Sequence, residues 1–208
     1  MAILELMRKI LPKSLKRRVR EVLTTAKQPQ MVWGYHNCDG SYRPRTRISD
    51  TVFFYHKEKI NIADNVFIGH YTILDGTGGI EIEEGAQIGV WVGIFTHSSH
   101  IAIRIYGNHY QEIPEAQKKG YPIAPVKIGK YSFIGASSKI LPASSKILPG
   151  VKIGKGVIVA ADSTVKEDVP DFMIVSGNPA KITGDTRKLD QRYIRDLKIR
   201  QYYEEWQK

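Results

Sequence analysis

The chain has 208 residues and a 42% hydrophobic content, enough for one globular domain with a substantial core. The formal net charge of +10 favours anionic small molecules or an anionic membrane surface over nucleic acid, because no aromatic-interleaved basic module accompanies it. A single cysteine, Cys38, excludes an internal disulfide, and no apolar run approaches the ~18 residues of a membrane span, so we expect a cytoplasmic protein.

Residues 1–27 form a predicted basic amphipathic helix, because apolar residues recur there at helical spacing among lysines and arginines. Such a helix would lie on a membrane surface, which predicts a peripheral contact with an anionic inner membrane, or would pack on its own domain or a neighbouring subunit. Residues 28–57 are rich in Gly, Pro, Tyr and Arg and are predicted to be a lead-in segment with short strands, such as residues 51–55.

A repeat in the middle of the chain determines the predicted fold. Aliphatic residues recur every six positions, with a two-residue shift after Ile80 and breaks after Ile94 and Ile140, at Ile62, Ile68, Leu74, Ile80, Ile82, Ile88, Ile94, Ile128, Ile134, Ile140, Ile147, Ile153, Val159 and Val165. This period is typical of a hexapeptide β-helix, in which each hexapeptide forms one flat wall of a triangular coil. The inward aliphatic residues would stack from coil to coil into a continuous core. We predict this all-β domain over residues 58–184.

Residues 95–125 interrupt the repeat, and an insertion of this length in a compact domain is usually functional. The insertion contains His97, His100, Arg104, Tyr106 and Tyr110. After the coil, residues 185–208 are charged and predicted to be helical, with an apolar stripe formed by Leu189, Tyr193, Ile194 and Leu197.

Seven residues are duplicated in tandem: residues 136–142 and 143–149 have the same sequence, Ala-Ser-Ser-Lys-Ile-Leu-Pro. Because seven is not six, a copy built in as a wall would turn all later coils by one face. We predict instead a local excursion within residues 136–149, because a surface insertion destabilises less than a change of register through several coils. Ile153, Val159 and Val165 should then stack in register on the earlier coils. The alternative is an extra wall.

The chain resembles the hexapeptide-repeat acetyltransferases, in particular the branch that O-acetylates bacterial surface polysaccharides and related sugars. The resemblance covers residues 45–187 and is carried by the repeat (notably residues 62–69), by Thr-His-Ser-Ser-His-Ile-Ala-Ile-Arg at 96–104 and by Val-Ser-Gly-Asn-Pro-Ala-Lys-Ile at 175–182. It implies a left-handed coil, a homotrimer with the site between subunits, acetyl-CoA as co-substrate and a saccharide acceptor. The period by itself does not fix the hand of the coil.

The resemblance implies a histidine general base at the start of the insertion. A histidine suits this role because its usual pKa of about 6.5 leaves it largely neutral at physiological pH. Ungapped alignment favours His100 as the base, with His97 as its orienting partner or as the alternative base. Asp75 matches an acidic position near the acceptor, although an Asp before Gly76 is equally typical of a turn. Arg104, Tyr106 and Tyr110 are further candidates for acceptor binding.

The same resemblance predicts a CoA site on the later coils. Backbone groups around Ala136, Ser137, Ala160 and Ala161 would bind the pantetheine arm, and Lys166 and Lys181 would meet the phosphates. Phe133 stands where many members have tryptophan and would contact the arm, but the substitution weakens this expectation.

Three other functions remain to be tested. A zinc site like that of β-helix carbonic anhydrases would need His70, His97 and His100, whose spacing fits poorly, so we expect no metal. An amino-sugar N-acetyltransferase would use the same base. A non-catalytic trimeric scaffold would not need the histidine-rich insertion.

Overall fold

The computed structural model describes residues 12–15, 17–18, 28–141 and 150–207. The chain forms two compact units, residues 1–30 and residues 31–208. In the first unit, residues 13–15 and 17–18 are helical, and the rest of the helix predicted over residues 1–27 lies outside the described residues. Within the described part of the chain, no helix is both long enough and apolar enough to cross a membrane.

The second unit is built from three sheets, which form the three walls of a parallel β-helix. Wall A contains β1 (Met31–His36), β2 (Tyr42–Ser49), β5 (Phe67–Ile68), β8 (Gln87–Ile88), β11 (Phe133–Ile134), β14 (Ile158–Val159), β16 (Met173–Gly177) and β17 (Ala180–Asp185). Wall B contains β3 (Phe53–Tyr55), β6 (Ile73–Asp75), β9 (Gly93–Ile94), β12 (Lys139–Ile140) and β15 (Thr164–Val165). Wall C contains β4 (Ile60–Ile62), β7 (Ile80–Ile82), β10 (Val126–Ile128) and β13 (Lys152–Ile153). The predicted parallel β-helix is confirmed.

The core consists of three columns of aliphatic side chains, one behind each wall. In wall A, Ile68 pairs with Ile88, and Ile88 with Ile134, so that their side chains stack in register. The described members of the predicted repeat from Ile62 to Val165 are all buried. Each fully buried aliphatic side chain contributes roughly 1.5–3 kcal/mol relative to exposure. Every described position that the six-residue period named is therefore a core position.

Buried hydroxyl groups link neighbouring coils at the corners. Thr72 Oγ1 donates a hydrogen bond to the Gly89 carbonyl oxygen at 2.9 Å, and Ser132 Oγ donates to the Gly154 carbonyl oxygen at 2.6 Å. Because a buried polar group without a partner is destabilising, these bonds let short polar side chains occupy the corners of an otherwise apolar column.

The coil begins earlier in the chain than predicted. Ile48 in β2 pairs with Ile68, and Phe54 in β3 pairs with Leu74, so the first coil includes residues that were assigned to the lead-in segment. The sequence pattern missed this coil because β2 is also half of an antiparallel hairpin with β1. The boundary at residue 58 is therefore corrected to the end of β2.

The coils on either side of the duplicated heptapeptide are in register. Ile140 in β12 pairs with both Ile94 and Val165, and Ile153 in β13 pairs directly with Ile128. No strand from the second copy is therefore inserted between these neighbours, and the predicted register of Ile153, Val159 and Val165 is confirmed. The predicted excursion within residues 136–149 falls mostly on residues 142–149, which lie outside the described residues.

The region after the coil differs from the single amphipathic helix that was predicted. It contains two helices, α2 (Thr186–Asp190) and α3 (Leu197–Gln207). The predicted stripe residues Leu189, Tyr193 and Leu197 are exposed. The aromatic residues nearer the C-terminus pack instead, with the Trp206 ring 4.9 Å from that of Tyr131 and 5.8 Å from that of Phe172.

Candidate active site

The corner that follows wall B carries one column of site residues. Tyr55 pairs with Asp75 at the ends of β3 and β6. The Phe95 amide donates to the Ile140 carbonyl oxygen, and the Leu141 amide donates to the Val165 carbonyl oxygen. The column therefore runs Tyr55, Asp75, Phe95, Leu141, Lys166, each residue directly following the core residue of a wall-B strand.

Asp75 begins a tight turn at this corner. Its Oδ1 accepts hydrogen bonds from the Thr77 amide at 3.1 Å and from Thr77 Oγ1 at 2.6 Å. The turn continues through Gly78, where a Cβ atom would lie 2.8 Å from the Ala124 carbonyl oxygen, so only glycine fits between the two backbones. Asp75 Oδ1 therefore has the turn-forming role that is typical of an Asp before Gly, and Asp75 Oδ2 remains available to another partner.

Buried Thr96 fixes the start of the insertion against this turn. Its Oγ1 donates to the Asp75 carbonyl oxygen at 2.6 Å and accepts from the Gly78 amide at 2.7 Å. Its own carbonyl oxygen accepts from the Ala124 amide at 2.9 Å. The backbone just before His97 is therefore fixed by hydrogen bonds to the Asp75 turn on one side and to Ala124 on the other.

His97 and Asp75 form a close pair. His97 Nδ1 lies 2.5 Å from Asp75 Oδ2, and the side chains are 32% and 4% exposed, respectively. Both atoms are buried, and neither has a regular hydrogen-bond partner among the described residues, so this ion-pair contact is what each atom makes. A carboxylate at Nδ1 favours the tautomer that carries its hydrogen on Nδ1, which leaves Nε2 as an acceptor. This arrangement gives His97 the geometry of an oriented general base.

Tyr121 covers the other side of His97. The two ring centroids are 5.4 Å apart, and residues 97 and 123 form an antiparallel bridge that closes the base of the insertion. Burial, reinforced by the carboxylates of Glu115 and Asp75 and by Tyr110 where that group is ionised, raises the pKa of Tyr121 to about 12. The tyrosine is therefore a neutral packing surface for the imidazole at physiological pH.

His100 has a different environment from His97. Its Nδ1 lies 2.7 Å from Ser98 Oγ on the exposed part of the insertion, and no carboxylate of the described residues forms an ion pair with it. Both histidines line a cleft of about 290 Å³, whose walls are Phe95, His97, Ser98, His100, Pro122, Leu141 and Lys166. The structure therefore brings both predicted histidines to one cleft and distinguishes them by their partners.

Three residues predicted to bind the acceptor do not line this cleft. Arg104 is exposed on α1 (Ala102–Tyr106). Tyr106 Oη accepts from the Lys119 amide at 2.9 Å, and the Tyr110 ring lies 4.0 Å below Lys118 Nζ. In this structure, the two tyrosines hold the insertion together, a local role that composition alone does not distinguish from substrate binding.

The residues predicted to bind CoA fall in three places. Ala136, Ser137, Ala160 and Ala161 lie at the corner between walls A and B, where the Asp162 amide donates to the Ala136 carbonyl oxygen at 2.8 Å. Phe133 points outward from wall A nearby and is exposed. Lys166 lines the His97 cleft, whereas Lys181 lines a separate cleft formed by β17 and residues 165–169.

The described residues include no group of three or more His, Cys, Asp or Glu side chains that could hold a metal ion. His70, one of the three ligands a zinc site would need, instead has its Nδ1 2.6 Å from Ser49 Oγ, at the corner after wall A.

The sequence assigned no role to two contributors to the site, although Thr96 begins the motif at 96–104 and Tyr121 lies in the insertion. Thr96 and Tyr121 act through contacts that form only when the ends of the insertion meet. The adjacency of Thr96 to His97 in the sequence was the one available signal, and it did not reveal the contact with Asp75.

Comparison with known proteins places the chain among relatives. No family model matches it. Over 155 residues it is 30% identical to the dTDP-4-amino-4,6-dideoxy-D-glucose acyltransferase of Escherichia coli, a match that covers 68% of this chain and 80% of that protein. The chain belongs to the hexapeptide-repeat acetyltransferase family. A Saccharomyces cerevisiae protein named as an acetyltransferase is 33% identical over 126 residues, and the match spans 59% of this chain and only 54% of the yeast protein.

Solved structures of the hexapeptide-repeat acetyltransferases agree with this membership. A point mutant of AntD, an N-acyltransferase from Bacillus cereus, in complex with dTDP and coenzyme A superposes with a TM-score of 0.55 at 28% identity, covering 74% of this chain and 88% of that chain. A maltose O-acetyltransferase from Clostridium difficile superposes with a TM-score of 0.53 at 24% identity, covering 65% and 64% of the two chains, and shares the fold.

Proposed function

We propose that this protein transfers an acetyl group from acetyl-CoA to a sugar hydroxyl, with His97 as the general base. The observation that carries the proposal is the His97–Asp75 pair at the edge of an open cleft. Acyl-CoA chemistry is supported by the E. coli acyltransferase relative and by the coenzyme A bound in AntD. For this chain, acetyl-CoA is the proposed donor and a sugar hydroxyl is the proposed acceptor.

The proposed reaction needs one proton acceptor and one oriented carboxylate. His97 Nε2 takes the proton of the acceptor hydroxyl while its oxygen attacks the thioester carbonyl carbon. The tetrahedral intermediate then collapses, the carbon–sulfur bond breaks, and the imidazolium returns the proton to the CoA thiolate. Asp75 stabilises the imidazolium that exists between these steps. A positioned base of this kind typically contributes ~10²–10⁴ in rate.

The geometry favours His97 over His100, which the alignment favoured. Only His97 has a carboxylate that is almost fully buried, and only His97 is packed between a fixed turn and an aromatic ring. His100, which is itself exposed and is held by Ser98, has a looser orientation and lies on the cleft as a candidate acceptor contact. We therefore assign the base to the alternative that the sequence left open.

Two single variants test this assignment. With a thiol-release assay, His97→Ala should lower kcat by about 10²-fold or more and leave the KM for acetyl-CoA nearly unchanged. His100→Ala should lower kcat much less. If His100→Ala is inactive and His97→Ala is not, the assignment within the pair is wrong. If both variants turn over at the wild-type rate, the histidine mechanism is wrong.

We propose that the working molecule is a homotrimer of left-handed coils with the cleft completed by a neighbouring subunit. An exposed aromatic strip on the early coils supports a protein interface, since exposed apolar patches of this kind mark association sites. In it, Trp91 is 61% exposed and stacks on Tyr71 at 4.6 Å, and Phe53 and Tyr55 extend it along wall B. Light scattering should give about three times the 23.6 kDa monomer mass. A fully active monomer would contradict this proposal.

Acetylation of an amino sugar is the second candidate. The E. coli relative is named for a 4-amino sugar nucleotide, and AntD is an N-acyltransferase. The same His97 would remove a proton from the attacking amine. A panel of matched sugars that carry either a hydroxyl or an amine at one position would decide between the two reactions. The acceptor that is used with the higher kcat/KM identifies the reaction.

The cellular setting completes the proposal. We place the enzyme in the cytoplasm, in the biosynthesis of a bacterial surface polysaccharide such as capsule or O-antigen. The basic residues at positions 8–20 support a peripheral contact with an anionic inner membrane. In the proposed donor pose, the pantetheine arm follows the backbone at Ala136 and Ala160, with Phe133 beside it and Lys181 toward the nucleotide end.

A further inference from the structure

The two histidines of the cleft differ in what their Nδ1 atoms meet. In a neutral imidazole, one ring nitrogen carries the hydrogen and the other is an acceptor. At His97 the partner of Nδ1 is the Asp75 carboxylate, which when ionised can only accept, so the hydrogen lies on Nδ1 and Nε2 is the acceptor. At His100 the partner is a hydroxyl group, Ser98 Oγ at 2.7 Å. A hydroxyl group can donate as well as accept, so the tautomer of His100 depends on where the Ser98 hydrogen goes.

Among the described residues, the Ser98 hydroxyl group has His100 as its one partner. The Ser98 amide donates separately to the Pro122 carbonyl oxygen at 3.1 Å, which fixes the backbone of the serine. If Ser98 Oγ donates to Nδ1, the ring hydrogen of His100 lies on Nε2. The reverse arrangement would leave the hydroxyl hydrogen without an acceptor in the described part of the chain. The pairing therefore favours a donating Nε2 on His100, the opposite of His97.

The proposed reaction creates a negative charge that needs a hydrogen-bond donor. When the acceptor oxygen adds to the thioester, the carbonyl electron pair moves onto the carbonyl oxygen, and a donor aimed at this oxyanion lowers the barrier. Four residues of the described lining offer no free amide, because their hydrogen is already donated within the protein or, for proline, is absent: Phe95, Ser98, Leu141 and Pro122. The side-chain candidates in this lining are His100 Nε2 and Lys166 Nζ.

Position favours His100 over Lys166 as this donor. His100 lies on the same loop as the base, three residues after His97. Its backbone is held on its other side as well, because Ala102 is fully buried and donates its amide to a carbonyl oxygen near the end of the insertion. Lys166 lies two coils from Phe95 in the corner column, or roughly 10 Å. The histidine is therefore nearer than the lysine to the atom that His97 activates.

We infer that His100 is a second catalytic residue, whose Nε2–H donates a hydrogen bond to the oxyanion of the tetrahedral intermediate. The inference rests on the proposed function and places His100 on the thioester oxygen, not on the acceptor. The two neutral imidazoles then have different tasks. His97 takes the proton of the acceptor hydroxyl group, whereas His100 keeps its own proton throughout. When the carbonyl group forms again and the carbon–sulfur bond breaks, the charge leaves with the CoA sulfur, which receives the proton from His97.

Steady-state kinetics of three variants in the insertion tests this donor. His100→Ala should lower kcat roughly tenfold, the value of one hydrogen bond, and leave both KM values nearly unchanged, because the oxyanion exists only after attack. His100→Gln, whose side-chain amide can still donate, should recover most of the loss. His109→Ala is the matched control and should keep the wild-type rate, because His109 pairs with Glu112 and is not in the described lining of the cleft.

Three kinetic outcomes separate the inference from the proposed function. A raised KM for the acceptor with an unchanged kcat in His100→Ala would place His100 on the acceptor and overturn the inference. A loss of kcat in Lys166→Gln with none in His100→Ala would make the lysine the donor and also overturn it. An inactive His97→Ala enzyme beside a His100→Ala enzyme with wild-type kinetics would overturn the inference and leave the proposed base in place.

Nitrogen NMR of the imidazole rings measures the tautomers without catalysis. With isotopically labelled histidine, at a pH at which both rings are neutral, the wild type should carry hydrogen on Nδ1 of His97 and on Nε2 of His100. The two alanine variants assign the signals, and Ser98→Ala should weaken the preference at His100 and leave that at His97. These tautomers in a protein that acetylates no sugar would contradict the proposed function and still support a cleft that pairs an acceptor with a donor. Hydrogen on Nδ1 of His100 in the wild type would overturn the inference.

Discussion

The corners of this coil fall into two kinds. After walls A and C, the chain always takes six residues to the next core position, as from Ile68 to Leu74 and from Ile82 to Ile88. After wall B, the spacing is eight residues from Leu74 to Ile82, thirty-four from Ile94 to Ile128 and thirteen from Ile140 to Ile153. All variation in chain length within the described coil is therefore concentrated at one of its three corners.

The two constant corners maintain the core of the fold, whereas the variable corner carries the residues of the candidate site. The two constant corners keep aliphatic residues in columns, because each must stack on its equivalent in the next coil. The variable corner is free to lengthen because its added residues lie outside the aliphatic columns, and it carries Asp75, His97, Tyr121 and Lys166. A loop on a rigid scaffold is where function is expected to lie.

The largest effect on stability should come from a substitution in the aliphatic columns that the constant corners keep in register. Ile88→Ala removes a fully buried side chain from the middle of wall A and should lower the free energy of unfolding by about 2–5 kcal/mol. The matched control is Gln87→Ala, at the neighbouring exposed position of the same strand. Urea unfolding followed by circular dichroism measures both. Equal losses in the two variants would contradict the assignment of Ile88 to a stacked core column.

The next effect should come from the variable corner and should spare stability. Asp75→Asn removes the carboxylate behind His97 and should reduce kcat by roughly 10²–10⁴-fold, because the amide no longer favours the same imidazole tautomer. Asp162→Asn, an exposed carboxylate at the opposite corner, is the control and should be active. Steady-state kinetics with both substrates measures the change. An active Asp75→Asn enzyme would show that His97 needs no carboxylate.

The smallest effect should come from shortening the variable corner itself. Deletion of residues 143–149 should change the free energy of unfolding by less than about 1 kcal/mol, because loop closure depends only weakly on loop length. Fold and oligomeric state should be retained, with activity kept or raised. Thermal unfolding, light scattering and the thiol-release assay test these points. A deletion variant that does not fold would mean that the second copy is part of the coil.

The core could be predicted from the sequence because it depends on local spacing. Ile62, Ile94 and Val159 could be placed in columns since each needs only its own hexapeptide and an equivalent one coil away. The first coil could not, because Ile48 belongs to a strand that also pairs with the preceding hairpin strand.

The sequence predicted where the candidate site lies but not which of its two histidines is the better general base. The insertion and its histidines stand out in the sequence, but the choice between His97 and His100 depends on contacts with Asp75 and Tyr121. Those residues are more than twenty positions away from His97 in the chain, and nothing in the spacing of the loop determines which imidazole meets them.

A corner that accepts a second copy of its own sequence would also accept a foreign one. The coil is paired in register before Leu141, through Ile140 and Ile94, and after Gly150, through Ile153 and Ile128. Each doubling of such a connection costs only about 0.6 kcal/mol in closure entropy. A peptide epitope or a fluorescent-probe tag grafted between these two residues should be displayed next to the cleft without disturbing the scaffold, which makes this joint a natural attachment point for reporting on substrate binding.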